Sequence, residues 1–523
     1  MLVKLSLAAV GVFFGVGWLR GYALAQILQD SLALAVAAVP EGLPVVATST
    51  MSLGLKRMER KAILVRHVQA IESLGALQTV CLDKTGTLTQ NRMSVVAAAA
   101  GTRTVDRGDR EALEPLLRVA ALNNDAEAED GRAVGSSATE RALTEFALEN
   151  GVDVAALRRQ RPRARTIERG EDRPWMGTVH RGRGARTLVK GAPDEVLALC
   201  SRIRDGGRTR RLTDEDRDRI RLLNDRMAAR PARVLAFAQG TKASDGEEVE
   251  DLTWLGLVGM IDPLRPGAKT FVQAMQRAGI ETVIISGDQA ATASALARDL
   301  GLGHEDTVRV IDSTELSDLD PVLLAELAAR TDVFARVSAH EKLAIVQALQ
   351  ASGRIVGMTG DGVNDGPALK AADVGIAMGE SGTDLARDVA NVVISNDKLE
   401  TLVDAISEGR TVYRNIRRAL EFLITTNMSE ILVEIIEAIH GPGELEPPME
   451  LLWINIATDV LPGLGLAVAE PDADAMAQPP RDPSEPIVPP GDFRRMALDG
   501  STIAASALGA HFVGLARYGP GPQ

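Results

Sequence analysis

Three short runs of core-type residues, each ending in a turn of glycine and acid, constrain this chain most. Thr79-Val80-Cys81-Leu82 runs into Asp83-Lys84-Thr85-Gly86-Thr87-Leu88-Thr89. Glu281 to Ile285 runs into Ser286-Gly287-Asp288, and Ile355 to Met358 runs into Thr359-Gly360-Asp361-Gly362-Val363-Asn364-Asp365. Helical patterns lie between the last two. Strands without polar alternation, interleaved with helices, are the pattern of a parallel sheet covered on both faces. Such a doubly wound α/β sheet gathers ligands at the carboxyl ends of its strands.

The residues at those ends carry a chemistry. A carboxylate such as Asp83, at a strand end beside free backbone amides, can attack phosphorus and become an acyl phosphate. Ser286, Gly287, Asp288, Lys342, Asp361, Asn364 and Asp365 supply the rest of an in-line phosphoryl transfer. Hydroxyls and a lysine meet the equatorial oxygens, and carboxylates hold Mg2+. The second residue after the nucleophile is Thr85, which cannot act as a general acid at neutral pH. The acyl phosphate is therefore expected to persist, which suits a machine that couples phosphorylation to a change of shape. A soluble phosphatase of the same sheet, fused to helices, is a competing reading that Thr85 disfavours.

The rest of the chain divides by hydropathy. Leu2 to Leu19 is almost uncharged and bilayer-length, and Ala23 to Leu53 is a second such run, broken at Pro40-Glu41-Gly42-Leu43-Pro44. Basic residues from Lys56 to Arg66 mark a cytoplasmic edge. No spanning run follows until Ala419 to Ile439 and Met449 to Ala469, hinged at Gly441-Pro442-Gly443. A loop, Glu470 to Asp492, leads to a last weak run, Leu498 to Leu515. The expected order is a transmembrane hairpin (1–55), a phosphorylation domain (56–97 and 240–410), an inserted second domain (98–239), a second hairpin (411–469), and a cytoplasmic loop with a partial helix (470–523). A net charge of −13 argues against general nucleic-acid binding. The two cysteines, Cys81 and Cys200, have no partner motif and read as small packed residues.

These residues resemble the P-type cation-transporting ATPases. The strings Asp83-Lys84-Thr85-Gly86-Thr87-Leu88-Thr89 and Thr359-Gly360-Asp361-Gly362-Val363-Asn364-Asp365 are similar to that family's signatures, and Asp262-Pro263-Leu264-Arg265 and Lys190-Gly191-Ala192-Pro193 to its hinge and nucleotide motifs. The resemblance implies a haloacid-dehalogenase-like doubly wound phosphorylation domain with an inserted α+β nucleotide-binding domain, plus transmembrane α-helices corresponding to the third through seventh of the family. It implies ATP and Mg2+ as cofactors, Asp83 as the phosphorylated residue, and Mg2+ held by Asp83, Asp361 and the main chain of Thr85. It also implies ATP contacts from Glu140, Lys190, Gly191, Arg233, Asp262 and Arg265. The family's adenine-stacking Phe has no counterpart in the stretch from Glu168 to Met176. Arg169 can stack in its place as a guanidinium plane.

A transported cation is read from the broken run. Its prolines free the carbonyls of Val36, Ala37 and Val39, and Glu41 adds a carboxylate at membrane depth. Asn427 and Glu430 share one helix face, as do Asn455, Thr458 and Asp459. Hard oxygen ligands favour an ion of the Ca2+ class over copper or zinc. The same positions resemble the sites of the family's calcium-pump branch. The implied protein is a multi-pass pump of the cell membrane with a cytoplasmic catalytic insert. The family's actuator loop, Thr-Gly-Glu, is not found, so a partial chain is expected. A separate chain supplying the actuator would be a partner, and a remnant that autophosphorylates without completing the cycle is the alternative.

Overall fold

The computed structural model describes residues 2–25, 27–28, 31, 42–129, 131–170, 173–181, 187–228, 232–241, 249–303, 307–316, 319–440, 448–472 and 474–519. Val36, Ala37, Val39 and Glu41 lie outside the described residues.

Two sheets organise the middle of the chain. The first has eight strands in the order Ile63–Val65, Val392–Ile394, Val374–Met378, Val356–Gly360, Thr79–Asp83, Glu281–Ile285, Val333–Ala335, Val310–Asp312. Every neighbouring pair is parallel except the first, which is antiparallel. The Thr79–Asp83 strand is buried along its whole length. Val80 and Leu82 pack on one face with Phe271, Val272 and Met275. Cys81 points to the other, against Phe334, Ile345 and Leu349. That two-sided burial is why the run lacks polar alternation. The strand's neighbours, Glu281–Ile285 and Val356–Gly360, both come later in the chain and lie on opposite sides, so the crevice at its carboxyl end is a topological switch point. Both cysteines are buried free thiols, pushed up to about 12 by burial, and chemically quiet.

The second sheet has nine strands. Seven run in the order Arg208–Arg211, Cys200–Asp205, Leu252–Ile261, Arg233–Gly240, Thr187–Gly191, Trp175–His180, Arg163–Ile167. Ser94–Ala100 adds antiparallel to Leu252–Ile261, and Arg103–Val105 to Ser94–Ala100. Helices Arg110–Leu122 and Ala138–Glu149 cover one face through Leu116, Leu143 and Phe146 against Phe237. Pro193–Ala198 and Asp214–Ala228 cover the other, around Trp254. The strands that enter and leave this sheet pair with each other, so it extends outside 98–239 on both sides.

Among the described residues the longer helices are Leu2–Arg20, Gly42–Arg60, Leu399–His440, Pro448–Ala467 and Pro490–Tyr518. Leu399–His440 packs against the other four. Among the described residues no helix is long and apolar enough to cross a membrane. In two of the expected spans acids dilute the hydropathy: Glu421, Glu430, Glu434 and Glu437 in Ala419 to Ile439, and Glu450 and Asp459 in Met449 to Ala469. The loop after Pro448–Ala467 is pinned to the long helix. The guanidinium of Arg410 donates to the carbonyls of Ala475 (2.9 Å), Gln478 (2.6 Å) and Ala278 (3.0 Å), tying loop, helix and first sheet together.

Candidate active site

Asp83 ends its strand with 6% of its surface exposed. The chain then turns sharply at Gly86, whose φ is +73°, and a Cβ there would lie 1.6 Å from Asp361 Oδ2. Only glycine lets the two loops approach so closely. Lys342 comes from the helix Ala339–Ala351, whose first turn is fixed by a capping box between Ser338 and Glu341. Its Nζ lies 3.0 Å from Asp83 Oδ1 and 2.6 Å from Asp365 Oδ1. The other oxygen of Asp365 accepts the amides of Asp361 (3.2 Å) and Gly362 (3.0 Å), so one carboxylate shapes the turn and anchors the lysine.

Carboxylate oxygens of Asp83, Asp361 and Asp365 all lie within 4.8 Å of one another. Three acids share one lysine. Burial first, then repulsion from Asp365 and Asp361 against the pull of Lys342, pushes the Asp83 carboxyl up to about 7. Burial and Asp365 push Asp361 up to about 6. Lys342 is raised because Asp83 and Asp365 together outweigh its burial. A hard, oxygen-seeking dication fits this set: close carboxylates, charge-starved, with no soft ligand.

Around this core, Asp288 accepts a hydrogen bond from Lys84 Nζ at 2.7 Å. Ser286 is buried, its Oγ accepting the Asp288 amide at 3.1 Å, with Gly287 between them. Thr85 and Asn364 are exposed at the mouth of the crevice. Two residues not singled out in the sequence also belong here. Thr359 Oγ1 accepts the Asp83 amide at 3.2 Å, and Asn91, at φ +51°, donates to Asp361 Oδ2 at 3.4 Å. Thr359 had a signal in its own motif, whereas Asn91 reaches the site only through the fold.

A second cavity, of about 600 Å³, opens in the second sheet. Glu140, Arg169, Lys190, Gly191 and Arg233 all line it, as do Trp175 and Met176. Lys190 Nζ pairs with Glu140 Oε1 at 2.6 Å and donates to Asn123 O at 2.6 Å. Burial, despite Glu140, holds the Lys190 ammonium below its usual range. Glu140 is held below the carboxylate range because Lys190 and Ser136 outweigh burial. A Cβ on Gly191 would lie 2.3 Å from that of Trp175, so the glycine lets the indole close down on its cross-strand neighbour. Trp175 thus offers an aromatic surface in the cavity where the sequence pointed to Arg169 alone.

Asp262 and Arg265 do not join that cavity. Asp262 accepts the Thr89 hydroxyl at 2.6 Å and the Arg92 amide at 3.1 Å. Arg265 donates to Gly86 O at 2.7 Å and Ser381 Oγ at 2.9 Å, and pairs with Asp397 at 3.3 Å. Both brace the loop that follows Asp83. They lie beside the first sheet's crevice rather than in the cavity of Glu140 and Lys190.

Of the expected cation ligands, Asn427, Asn455 and Asp459 are buried among the long helices. Thr426 Oγ1 donates to Asp459 Oδ1 at 3.1 Å. Both side-chain polar atoms of Asn427, and Asp459 Oδ2, are buried without a hydrogen-bond partner among the described residues. A Cβ on Gly42 would lie 3.6 Å from Asp459 Cβ, so the chain resumes beside Asp459 directly after Glu41. Glu430 lies on the Asn427 face of its helix, and Thr458 and Asp459 follow Asn455 by three and four residues, on one face of theirs.

Comparison with known proteins agrees along most of the chain. Residues 112–267 match the family model described as P-type ATPase, cytoplasmic domain N, and residues 447–523 match that described as cation transporting ATPase, C-terminus. The chain is 38% identical to the cation-transporting ATPase pma1 of Synechocystis sp., over 93% of this chain and 57% of that protein. It is 36% identical to calcium-transporting ATPase 1 of Bacillus cereus, over 96% of this chain and 58% of the relative. It is 34% identical to the human calcium-transporting ATPase type 2C member 1, over 96% and 56%. The chain thus spans a little over half the length of the curated relatives it matches.

Proposed function

Because the chain belongs to the P-type cation-transporting ATPases, we propose that Asp83 takes the γ-phosphoryl group of ATP and that the pump so energised moves a hard cation, Ca2+ foremost, across a membrane. The observation that carries this reading is Asp83, buried at the switch point and held by Lys342 with Asp361 and Asp365 beside it. An Asp83 oxygen attacks the γ-phosphorus in line, the bond to the bridging oxygen of ADP breaks, and ADP leaves with that electron pair. Lys342 neutralises charge on the transferred group, and the Thr359 hydroxyl fixes the strand end. When bound, Mg2+ at Asp83, Asp361 and the Thr85 main chain supplies charge for the phosphate oxygens. Thr85 offers no proton, so the acyl phosphate is not hydrolysed from that side.

In this reading the first sheet is the phosphorylation domain and the second the nucleotide domain, joined at the Ser94–Ala100 and Leu252–Ile261 strands. ATP sits in the cavity of Glu140, Lys190 and Arg233, its base against Trp175 or Arg169. The cation lies between Asn427, Glu430, Asn455, Thr458 and Asp459, with Glu41 and the carbonyls of Val36, Ala37 and Val39. Partnerless buried oxygens at Asn427 and Asp459 support a ligand there. Exposed Phe14, Trp18, Leu19, Trp453, Leu461, Phe512 and Val513 on the long helices support a lipid surround, with the cell membrane as the proposed location. The likenesses lend no support to a separate actuator chain, and none is proposed.

The test is labelling with γ-phosphate-labelled ATP in Mg2+. Acid-stable, hydroxylamine-sensitive label is expected on the chain and is expected to vanish in Asp83→Asn. Undiminished label in that variant refutes the assignment.

A further inference from the structure

The second sheet carries another cavity, of about 220 Å³, on the far side of Asp125 from the nucleotide cavity. Asp125 lines both. Three arginines converge on the smaller one. Arg158 is held by the carbonyls of Ala121 (2.9 Å) and Asn124 (3.1 Å). Arg163 is held by those of Leu122 (3.3 Å) and Asn124 (2.6 Å), and it pairs with the Asp125 carboxylate. These bonds cap the end of helix Arg110–Leu122 and also fix two guanidinium groups in place. Arg161 is different. Among the described residues its guanidinium has no hydrogen-bond or carboxylate partner, so it is not needed for the cap.

His180 closes the cavity. Its ring nitrogens meet Arg161 O at 3.0 Å and Thr178 Oγ1 at 2.9 Å, which leaves no room for it to relieve the charge. Burial, then the surrounding arginines against the Arg161 carbonyl, keeps this imidazole below its usual range. Burial and Arg163 likewise press down on Arg158. The acids in the lining are Asp125, already paired with Arg163, and Glu127. The cavity is therefore a preorganised excess of guanidinium groups, and guanidinium forks match tetrahedral oxyanions.

We propose that this cavity is an anion site for one phosphate group, held by Arg158, Arg161 and Arg163, and that its occupancy adjusts the nucleotide cavity through Asp125. An oxyanion competes with the Asp125 carboxylate for Arg163. The amide of Asp125 donates to Glu140 Oε2 at 3.2 Å, and Glu140 is the partner of Lys190. Displacing Asp125 thus reaches the floor of the nucleotide cavity in one step. This coupling rests on the nucleotide reading given above, whereas the anion site itself does not. The phosphate can arrive free, as the product of ATP hydrolysis, or attached to a larger molecule.

The experiment uses the full chain in detergent without Mg2+. Radiolabelled inorganic phosphate is measured by equilibrium dialysis against wild type, Arg161→Ala and Asp83→Asn. Saturable binding near one equivalent is expected in wild type and Asp83→Asn, weakened about tenfold or more in Arg161→Ala by loss of a charge-assisted contact. Equal binding in wild type and Arg161→Ala, or loss in Asp83→Asn, overturns the site. Adenosine, which has no phosphate to compete directly, is then titrated with and without inorganic phosphate. A change in its affinity of about twofold or more in wild type, absent in Arg161→Ala, is expected, and an unchanged affinity overturns the coupling. Failure of adenosine to bind at all instead refutes the nucleotide cavity. Displacement of the label by glycerol 3-phosphate as effectively as by inorganic phosphate identifies an attached phosphate as an acceptable source, and failure to displace restricts the site to the free ion.

Discussion

Replacing Lys342 by methionine keeps the length of the side chain and removes its charge. In the folded protein that leaves the carboxyls of Asp83, Asp361 and Asp365 within 4.8 Å of one another without the ammonium that two of them contact. Removing one partner of a buried charge pair costs roughly 3–5 kcal/mol when the other stays charged. For a domain of this size that is on the order of 10 °C in Tm. The cost depends on pH, and its sign is fixed by the direction of the shifts. Asp83 and Asp361 are raised to about 7 and about 6, well above an ordinary aspartate. Between the ordinary range, near about 4, and those values the folded state binds more protons than the unfolded one, so stability falls as pH rises through that window. Losing Lys342 pushes both carboxyls further up. The penalty is therefore full at about pH 8 and mostly relieved at about pH 5, where the acids are neutral.

The assay is differential scanning calorimetry of the full chain in chelator, wild type against Lys342→Met, at both pH values. The transition of interest is the one that Mg2+ shifts, since several domains need not melt together. Added Mg2+ is expected to raise that transition at about pH 8 more than at about pH 5, because protons and metal compete for the same oxygens. A loss under about 2 °C at the higher pH, or an equal loss at both, would refute the claim that Lys342 balances this cluster.

Gly86→Ala is expected to reduce phosphorylation of Asp83 by more than about tenfold while nucleotide binding is retained, because its Cβ displaces Asp361 at a strained φ; labelling and calorimetric titration check the two halves. Lys190→Ala and Glu140→Ala are each expected to weaken ATP binding about tenfold or more, since each leaves the other without its charge partner in the cavity; a titration in which either variant matches wild type contradicts the pairing. Asp459→Ala is expected to lower Ca2+ affinity more than Thr426→Ala, which removes only a hydrogen bond to Asp459. Binding of radioactive Ca2+ to the detergent-solubilised chain orders the two, and the reverse order would move the site elsewhere.

The catalytic sheet was legible in the sequence because its evidence is local. The strands Thr79–Asp83 and Val356–Gly360, buried on both faces, carry no charge until they end, so Asp83 and Asp361 announce their place by following Leu82 and Gly360 directly. The limits of the inserted domain were less legible. Ser94–Ala100 is an alanine run with no alternation to read, and only its pairing with Leu252–Ile261 assigns it to the second sheet. Asp262 and Arg265 were read as nucleotide contacts because the string Asp262-Pro263-Leu264-Arg265 resembles a family motif. Nothing in that string encodes that Thr89 and Gly86 lie opposite. The later long helices were harder to read: the acids proposed to hold a cation, Glu430 and Asp459, also dilute the hydropathy by which a span is recognised.

The three acids bear on the phosphoryl transfer proposed at Asp83. The proposed reaction needs Asp83 ionised, yet burial and the neighbouring acids push its carboxyl up to about 7. Lys342 alone does not reverse this, because it divides its hydrogen bonds between Asp83 and Asp365, and Asp365 is committed to the backbone of the Asp361 turn. A second positive charge must enter before Asp83 is fully a carboxylate. The geometry keeps the acids close: Gly86 lets its loop approach Asp361, and Gly360 lets the next loop fold back onto Asp365, so carboxylate oxygens of all three acids lie within 4.8 Å of one another. In the proposed reaction, charge balance at this cluster therefore governs the attack by Asp83. The braces on its loop, Arg265 at Gly86 and Asp262 at Thr89, hold that balance in place from the hinge.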